Sequence, residues 1–254
     1  LINDLVRGRA PITSYTALKL ETVLGSTATF WLTRECQYRE ALSRRAKLEA
    51  LRLQASWLAE LPLSDMCRMG WVRRYSHKGQ QVEECQRFFR VSSLSAWRGV
   101  YEKPLAAYRI SGKVKSRVGS LAAWIREGER RAEETSCAPF DRDLFKSTLN
   151  NARQLTLDED PRSFVPRLSA SFASCGVAVV LLPTPKACPA SGATKWLSPT
   201  KAMLLLSLRH KTNDHLWFTF FHEAAHLLLH GKKLMFLEGA DAVGRRHGGL
   251  DDAV

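Results

Sequence analysis

Between Trp217 and Gly231 the chain carries a pattern that sets both a helix and a chemistry: Trp217-Phe218-Thr219-Phe220-Phe221-His222-Glu223-Ala224-Ala225-His226-Leu227-Leu228-Leu229-His230-Gly231. At 3.6 residues per turn it predicts a helix, with Asp214 available as N-cap, Gly231 as the stop, and Lys232 and Lys233 past the negative end of the dipole. Apolar residues surround the polar triplet on nearly every side, the pattern of a core helix. His222 and His226 are four apart, so their imidazoles lie one turn apart on one face and can grip a single metal ion. Glu223 stands beside the first histidine, where a carboxylate takes a proton from a metal-activated water rather than binding the metal. Leaving all three side chains buried without partners would cost on the order of several kcal/mol, which a bound Zn²⁺ offsets. His230 lies two turns from His222, too far to share that ion, and is expected over the last carbonyls.

Strands are expected just before this helix. Val177-Ala178-Val179-Val180-Leu181-Leu182-Pro183 reads as a buried strand, and Ala193–Ser198 and Ala202–Arg209 as two more, joined at Pro199-Thr200. Leu144–Leu155 and Ser163–Cys175 have amphipathic helical spacing, the second stopped by Gly176. The expected class is α+β: an all-helical N-terminal region, then a small sheet packed on the histidine helix.

The rest of the chain reads as helical. Leu1–Arg9 sets Leu1, Ile2, Leu5 and Val6 against Asn3, Asp4, Arg7 and Arg9, a short amphipathic helix ending near Gly8. A second helix starts at Thr13, with Ala17, Leu18, Leu20 and Leu24 facing inward, and stops at Gly25; Ser26–Glu40 supplies a third. Leu48, Leu51, Leu53, Leu58 and Leu61 are expected to pack one helix that ends at Pro62. Arg126, Arg130 and Arg131 alternate with Glu127, Glu129, Glu133 and Glu134 as the mixed-sign pairs of a solvated face, the alternative being a phosphate-binding stripe.

Charge and cysteine content bound the partners. Thirty-eight Lys and Arg against 25 Asp and Glu leave a net +13, which makes contact with a polyanion plausible. The six cysteines include no C-x-x-C pair and read as thiols of a reducing, cytoplasmic compartment. No run of eighteen apolar residues and no signal-like N-terminus is present, so no membrane partner is expected.

Two stretches carry family resemblances. Leu1-Ile2-Asn3-Asp4-Leu5-Val6-Arg7-Gly8-Arg9, then Ile12-Thr13, Ala17-Leu18-Lys19-Leu20-Glu21, Val23-Leu24-Gly25 and Phe30-Trp31-Leu32 resemble XRE/HigA-type helix-turn-helix domains. That resemblance makes the first helix a recognition helix, with Asn3, Arg7 and Arg9 facing DNA. Ser191-Gly192-Ala193-Thr194-Lys195-Trp196-Leu197-Ser198-Pro199, Leu206-Ser207-Leu208-Arg209 and the Trp217–His226 stretch are similar to the ImmA/IrrE metallopeptidases, over roughly residues 137–238. Together they imply a partial helix-turn-helix at 1–45, a helical connection at 46–136 and a metallopeptidase domain at 137–254.

The chain starts at Leu1, mid-pattern, and is expected to be a fragment: two helix-turn-helix helices fall before it. The ImmA/IrrE resemblance also implies a third ligand, a glutamate on a helix after the second histidine, expected beyond Val254. Within the chain the candidates are Glu238, Asp241, His247, Asp251 and Asp252, of which Glu238 is the best on chemistry, and Gly239–Val254 reads as a loop. The implied function is a DNA-binding transcriptional regulator carrying a zinc-dependent endopeptidase that cleaves a regulatory protein. The alternative is an antitoxin-like DNA-binding repressor whose metallopeptidase-like domain is non-catalytic. DNA, a protein substrate or partner regulator, and a second copy forming a homodimer are the partners to expect. An exposed strand edge at 193–198 or 202–209 would hold an extended substrate.

Overall fold

The computed structural model describes residues 2–107, 114–208, 213–229 and 236–239. Its architecture is α+β. Contacts divide the chain into two compact units, one of residues 1–55 and 75–83, the other of 56–74 and 84–254.

In the first unit, α1 (Ile2–Val6) and α2 (Ser14–Leu24) precede the long α3 (Ala28–Arg52). Thr13 caps α2 by accepting from the Thr16 amide at 3.3 Å, and Gly25 ends it at φ 75°. Thr27 caps α3 in the same way, accepting from Phe30. The third helix runs more than three turns beyond Glu40, to Arg52, with Glu35–Arg39 and Glu40–Arg44 pairs at i,i+4 carrying it through a polar stretch. It stops at Arg52, so the leucines expected on one helix are split: Leu53 is exposed, while Leu58 lies on a 3₁₀ segment, Ala55–Glu60. The inner face expected for α2 reduces to buried Ala17 and half-buried Leu20; Leu18 and Leu24 are exposed. Ile2 and Val6 on α1 are exposed as well, because among the described residues nothing packs over that side.

In the second unit, α4 (Leu63–Arg68), α5 (Lys78–Phe89, of which Glu84 onward belongs here), α6 (Leu94–Trp97) and α7 (Lys103–Ala107) lead to α8 (Val114–Glu134). Trp57, Phe89, Trp97 and Tyr101 pack in edge-to-face and tilted pairs, with centroids 5.1–6.4 Å apart. Burial holds the Tyr101 hydroxyl above its ordinary range, and it donates to the Phe89 carbonyl. Asp65 ties α4 to the chain before the second strand: its carboxylate pairs with Arg68 and accepts from the Lys186 amide at 2.6 Å, and Arg68 first, then that amide, holds its pKa below the usual carboxylate value.

The α9 (Arg142–Ala152) and α10 (Pro161–Ala173) helices begin at Asp141 and Asp160, each capping its own first turn. The turn out of α10 needs Gly176: its φ is 87°, and a Cβ there would overlap the Phe140 backbone. Three strands follow, β1 (Val177–Leu182), β2 (Ala190–Ser198) and β3 (Lys201–Ser207), then α11 (Asn213–Leu229) and β4 (Phe236–Gly239). The sheet order is β1-β3-β2-β4, with β1 parallel to β3 and β2 antiparallel to both its neighbours. The β2–β3 hairpin turns through Pro199 and Thr200, as the sequence predicts.

Alternation along the strands assigns the two faces. Val177, Val179, Ala202, Leu204 and Leu206 join Phe145, Phe164, Leu168 and Phe172 of α9 and α10 and Trp217, Phe220, Ala224 and Leu227 of α11 in one core. Leu205 points the other way, against Gly128 of α8, where any larger residue would collide with it. The edges differ from expectation. β3 is paired on both sides, and β2 is covered by β4 over Ala190–Thr194, because a fourth strand short enough to escape periodicity adds to it.

The α8 helix divides the run expected to be a solvated face: Arg131, Glu133 and Glu134 are exposed as expected and Arg130 is half-buried, while the other three are not solvated. Arg126, Glu127 and Glu129 are buried, at 4%, 0% and 6% exposure. The Arg126 guanidinium donates to the Phe88 carbonyl at 2.9 Å and to Glu129 at 2.8 Å, and Lys195 of β2 meets Glu129 from the sheet at 2.5 Å. Glu127 is held by Arg130 and Arg131 at 3.1 and 2.8 Å. Opposite charges pair internally, so Arg126 and Glu129, which read as solvated, sit between the sheet and the aromatic cluster.

Candidate metal centre on α11

The α11 helix starts one residue earlier than its expected cap, so Asp214 lies inside the first turn, where its charge still favours the positive end of the dipole. Gly231, His230, Lys232 and Lys233 lie outside the described residues, as do Asp241, His247, Asp251 and Asp252 and the expected 239–254 loop beyond Gly239. The helix is not apolar-buried all round. Phe220 and Ala224 face the sheet at 0% exposure, whereas Phe218 is 54% and Leu229 75% exposed. Phe218, His222, His226 and Leu229 follow one another at helical spacing, which makes a partly open face on which both imidazoles are half-buried.

The two rings converge. Nε2 of His222 and Nε2 of His226 are 3.1 Å apart, with centroids at 4.8 Å and the ring planes nearly perpendicular. That distance is a hydrogen bond between the two rings, and it is also close to the about 3.3 Å that separates two imidazole nitrogens bound to one tetrahedral zinc at about 2.0–2.1 Å. Phe218 stacks on His222 at 6.1 Å and 22°, which limits the ring's rotation.

Glu223 occupies the adjoining strip of the helix, turned to the sheet. It is completely buried, and Oε2 accepts a hydrogen bond from Thr194 Oγ1 of β2 at 2.5 Å. The same hydroxyl lies 3.2 Å from the Glu223 carbonyl oxygen. Polar side chains and a glycine wall the carboxylate: Thr194 and Thr219 are buried, and a Cβ built on Gly192 would meet Glu223 Cγ at 2.7 Å, Thr219 Cγ2 at 2.7 Å and Glu223 Oε1 at 2.9 Å. Gly192 is therefore the point of closest approach between helix and sheet. Gly192→Ala is expected to push α11 off β2 and to cost about 1–3 kcal/mol, the usual cost of overpacking. Thermal unfolding checks this; an unchanged midpoint would mean that the close approach is absent.

Among the described residues no group of three His, Cys, Asp and Glu could hold a metal ion. Glu238 stands on β4, its backbone opposite Gly192 in the ladder. It thus lies on the strand next to the glycine that touches Glu223. None of the six cysteines forms a disulfide, and burial raises the Cys175 thiol to about 11, so it is protonated at neutral pH.

Asn3, Arg7 and Arg9 belong to the other unit, all three exposed on α1 and the turn after it. Their amides and carbonyls close that turn, with Arg7 N bonding to Asn3 O and Arg9 N to Asp4 O. No helix among the described residues is long and apolar enough to cross a membrane.

Thr194 and Gly192 were not expected at the site. The signal was present: both sit two apart on one strand, hence on one face, and a glycine inside a strand marks close approach by another element. No family model, no curated protein and no solved structure matches the chain.

Proposed function

We propose that this chain is a zinc-dependent endopeptidase joined to a DNA-binding helical region, a transcriptional regulator that cuts a regulatory protein. The observation that carries it is the convergence of the His222 and His226 Nε2 atoms at 3.1 Å beside a buried, oriented Glu223. His222 and His226 would hold the ion, with Glu238 the candidate third ligand by its position in the ladder. A zinc ion bound there supplies Lewis acidity, polarising a peptide carbonyl and acidifying water. Glu223 takes the proton released as water attacks and returns it to the departing amine. The strip of exposed Phe218 and half-buried His222 and His226 would admit the peptide, and among the described residues no strand pairs with the outer side of β4, along which it could lie extended. The net charge of +13 and the exposed Asn3, Arg7 and Arg9 support contact with DNA.

The alternative, an antitoxin-like repressor with a non-catalytic second region, is favoured by one observation: no third metal-ligating side chain joins the pair among the described residues. Metal content, cleavage of an internally quenched peptide library and DNA binding, each with and without chelator, separate the two. Zinc-dependent cleavage supports the endopeptidase. Chelator-insensitive DNA binding without cleavage of any peptide supports the repressor.

A further inference from the structure

We propose that the cavity between Ser191 of β2 and Thr219 of α11 is a site for one buried water, which bridges the two hydroxyls and fastens the first half of the histidine helix to the sheet. The site goes beyond the endopeptidase reading and does not depend on it. Backbone geometry aims the first hydroxyl. Between Ala190 and Gly192 the ladder to β4 advances one residue, from Gly239 to Glu238, while β2 advances two. Ser191 is thus the extra residue of a β-bulge, and such a residue leaves the strict alternation of the strand. It lines one small cavity together with Leu206 and Ser207 of β3 and His215, Leu216 and Thr219 of α11.

The second hydroxyl leaves its local acceptor unused. A helical threonine can bond the carbonyl four residues back, as Thr22 does to Leu18 at 3.0 Å and Thr33 to Thr29 at 2.8 Å. Thr219 does not. Its Cγ2 lies toward Gly192, and its Oγ1, like Ser191 Oγ, is buried with no hydrogen-bond partner among the described residues. Thr219 is 3% and Ser191 5% exposed, so bulk solvent does not serve them. Two buried hydroxyls on one cavity are satisfied together by a molecule that both donates and accepts. The volume of about 10 Å³ admits a single water and nothing larger. No carboxylate lines the cavity among the described residues, and a bare cation needs more than two neutral oxygens, so the occupant is water rather than a metal ion. The bridge sits one turn before Glu223, beside the close approach at Gly192, and so helps to set the rotation of α11 against the sheet.

The test uses the full chain and three variants: Thr219→Val and Ser191→Ala, which remove one hydroxyl each with little change of volume, and the two combined. A water held by both hydroxyls makes each single substitution destabilising, with the thermal unfolding midpoint lower by about 2–8 °C. The double variant is then expected to fall no further than about the larger single loss, because both changes break the same bridge. The sign of the shift is decisive. Hydroxyls that stay unpartnered in solution gain from replacement by apolar groups of the same shape, so a midpoint unchanged or raised in either single variant overturns the site. Additive falls overturn the bridge as well. A second measurement needs no variant to fold: in the wild type, a nuclear Overhauser effect between a long-lived water and the Leu216 methyl protons is expected, and its absence overturns the proposal. Where the double variant folds, that signal is expected to vanish, and its persistence would show a water held by other groups and overturn the assignment to Ser191 and Thr219.

Discussion

Glu223→Gln is expected to reduce peptide cleavage about 100- to 10,000-fold, the range that removal of a general base commonly gives, while zinc binding persists. The expectation follows from where the carboxylate sits. It lies one residue from His222 and three from His226, on the strip of α11 next to the imidazole face, and it is held by Thr194 Oγ1. The amide is nearly isosteric, so Gly192 and Thr219 still fit around it, and its oxygen can still accept from Thr194. What is lost is the basic oxygen. Because the amide keeps the shape of the completely buried side chain and an oxygen for Thr194, the unfolding midpoint should hold. A lower activity with an unchanged midpoint is the signature of a residue kept for chemistry. A variant that cleaves as fast as wild type would remove Glu223 from the reaction.

Arg126→Ala is expected to be the most damaging single change to the fold, at about 3–5 kcal/mol. Its guanidinium is 4% exposed and serves the Phe88 carbonyl, Glu129 and the edge of Glu133 together. Truncation leaves Glu129, at 7% side-chain exposure, with Lys195 alone, and leaves a buried carbonyl without its donor. At about 2–4 °C per kcal/mol for a unit of this size, the midpoint should fall on the order of 10 °C. The control is Arg52→Ala, which breaks an exposed pair with Glu49 and should cost less than about 1 kcal/mol. Equal losses in the two variants would show that the α8 network contributes no more than a surface pair.

The sequence makes the α11 helix and the β1 and β3 strands legible, because each carries a clean pattern: an apolar run between Gly176 and Pro183 in β1, an apolar run after the Pro199-Thr200 turn in β3, and four-residue spacing in the helix. Caps are legible too, since Thr13, Gly25 and Gly176 act through local chemistry. What stays hidden depends on partners distant in the chain. Glu127 and Glu129 look like surface charges until Arg126, Arg130, Arg131 and Lys195 close around them. The open strip of α11 looks like core, because Phe218 and Leu229 are as apolar as Phe220 and Leu227, and only the sheet's position tells them apart. At the site, the histidine pair is readable from spacing alone. The Thr194 hydrogen bond to Glu223 spans 29 residues and needs the strand register to be seen.

Zinc content after exhaustive dialysis against metal-free buffer and reloading with a small excess tests the central claim most directly. The wild-type chain is expected to retain about one zinc per chain, Glu223→Gln the same, and His222→Ala and His226→Ala almost none, since each loses half of the converging pair. A wild type that retains no zinc, or histidine variants that retain as much as wild type, would contradict a metal centre on this helix.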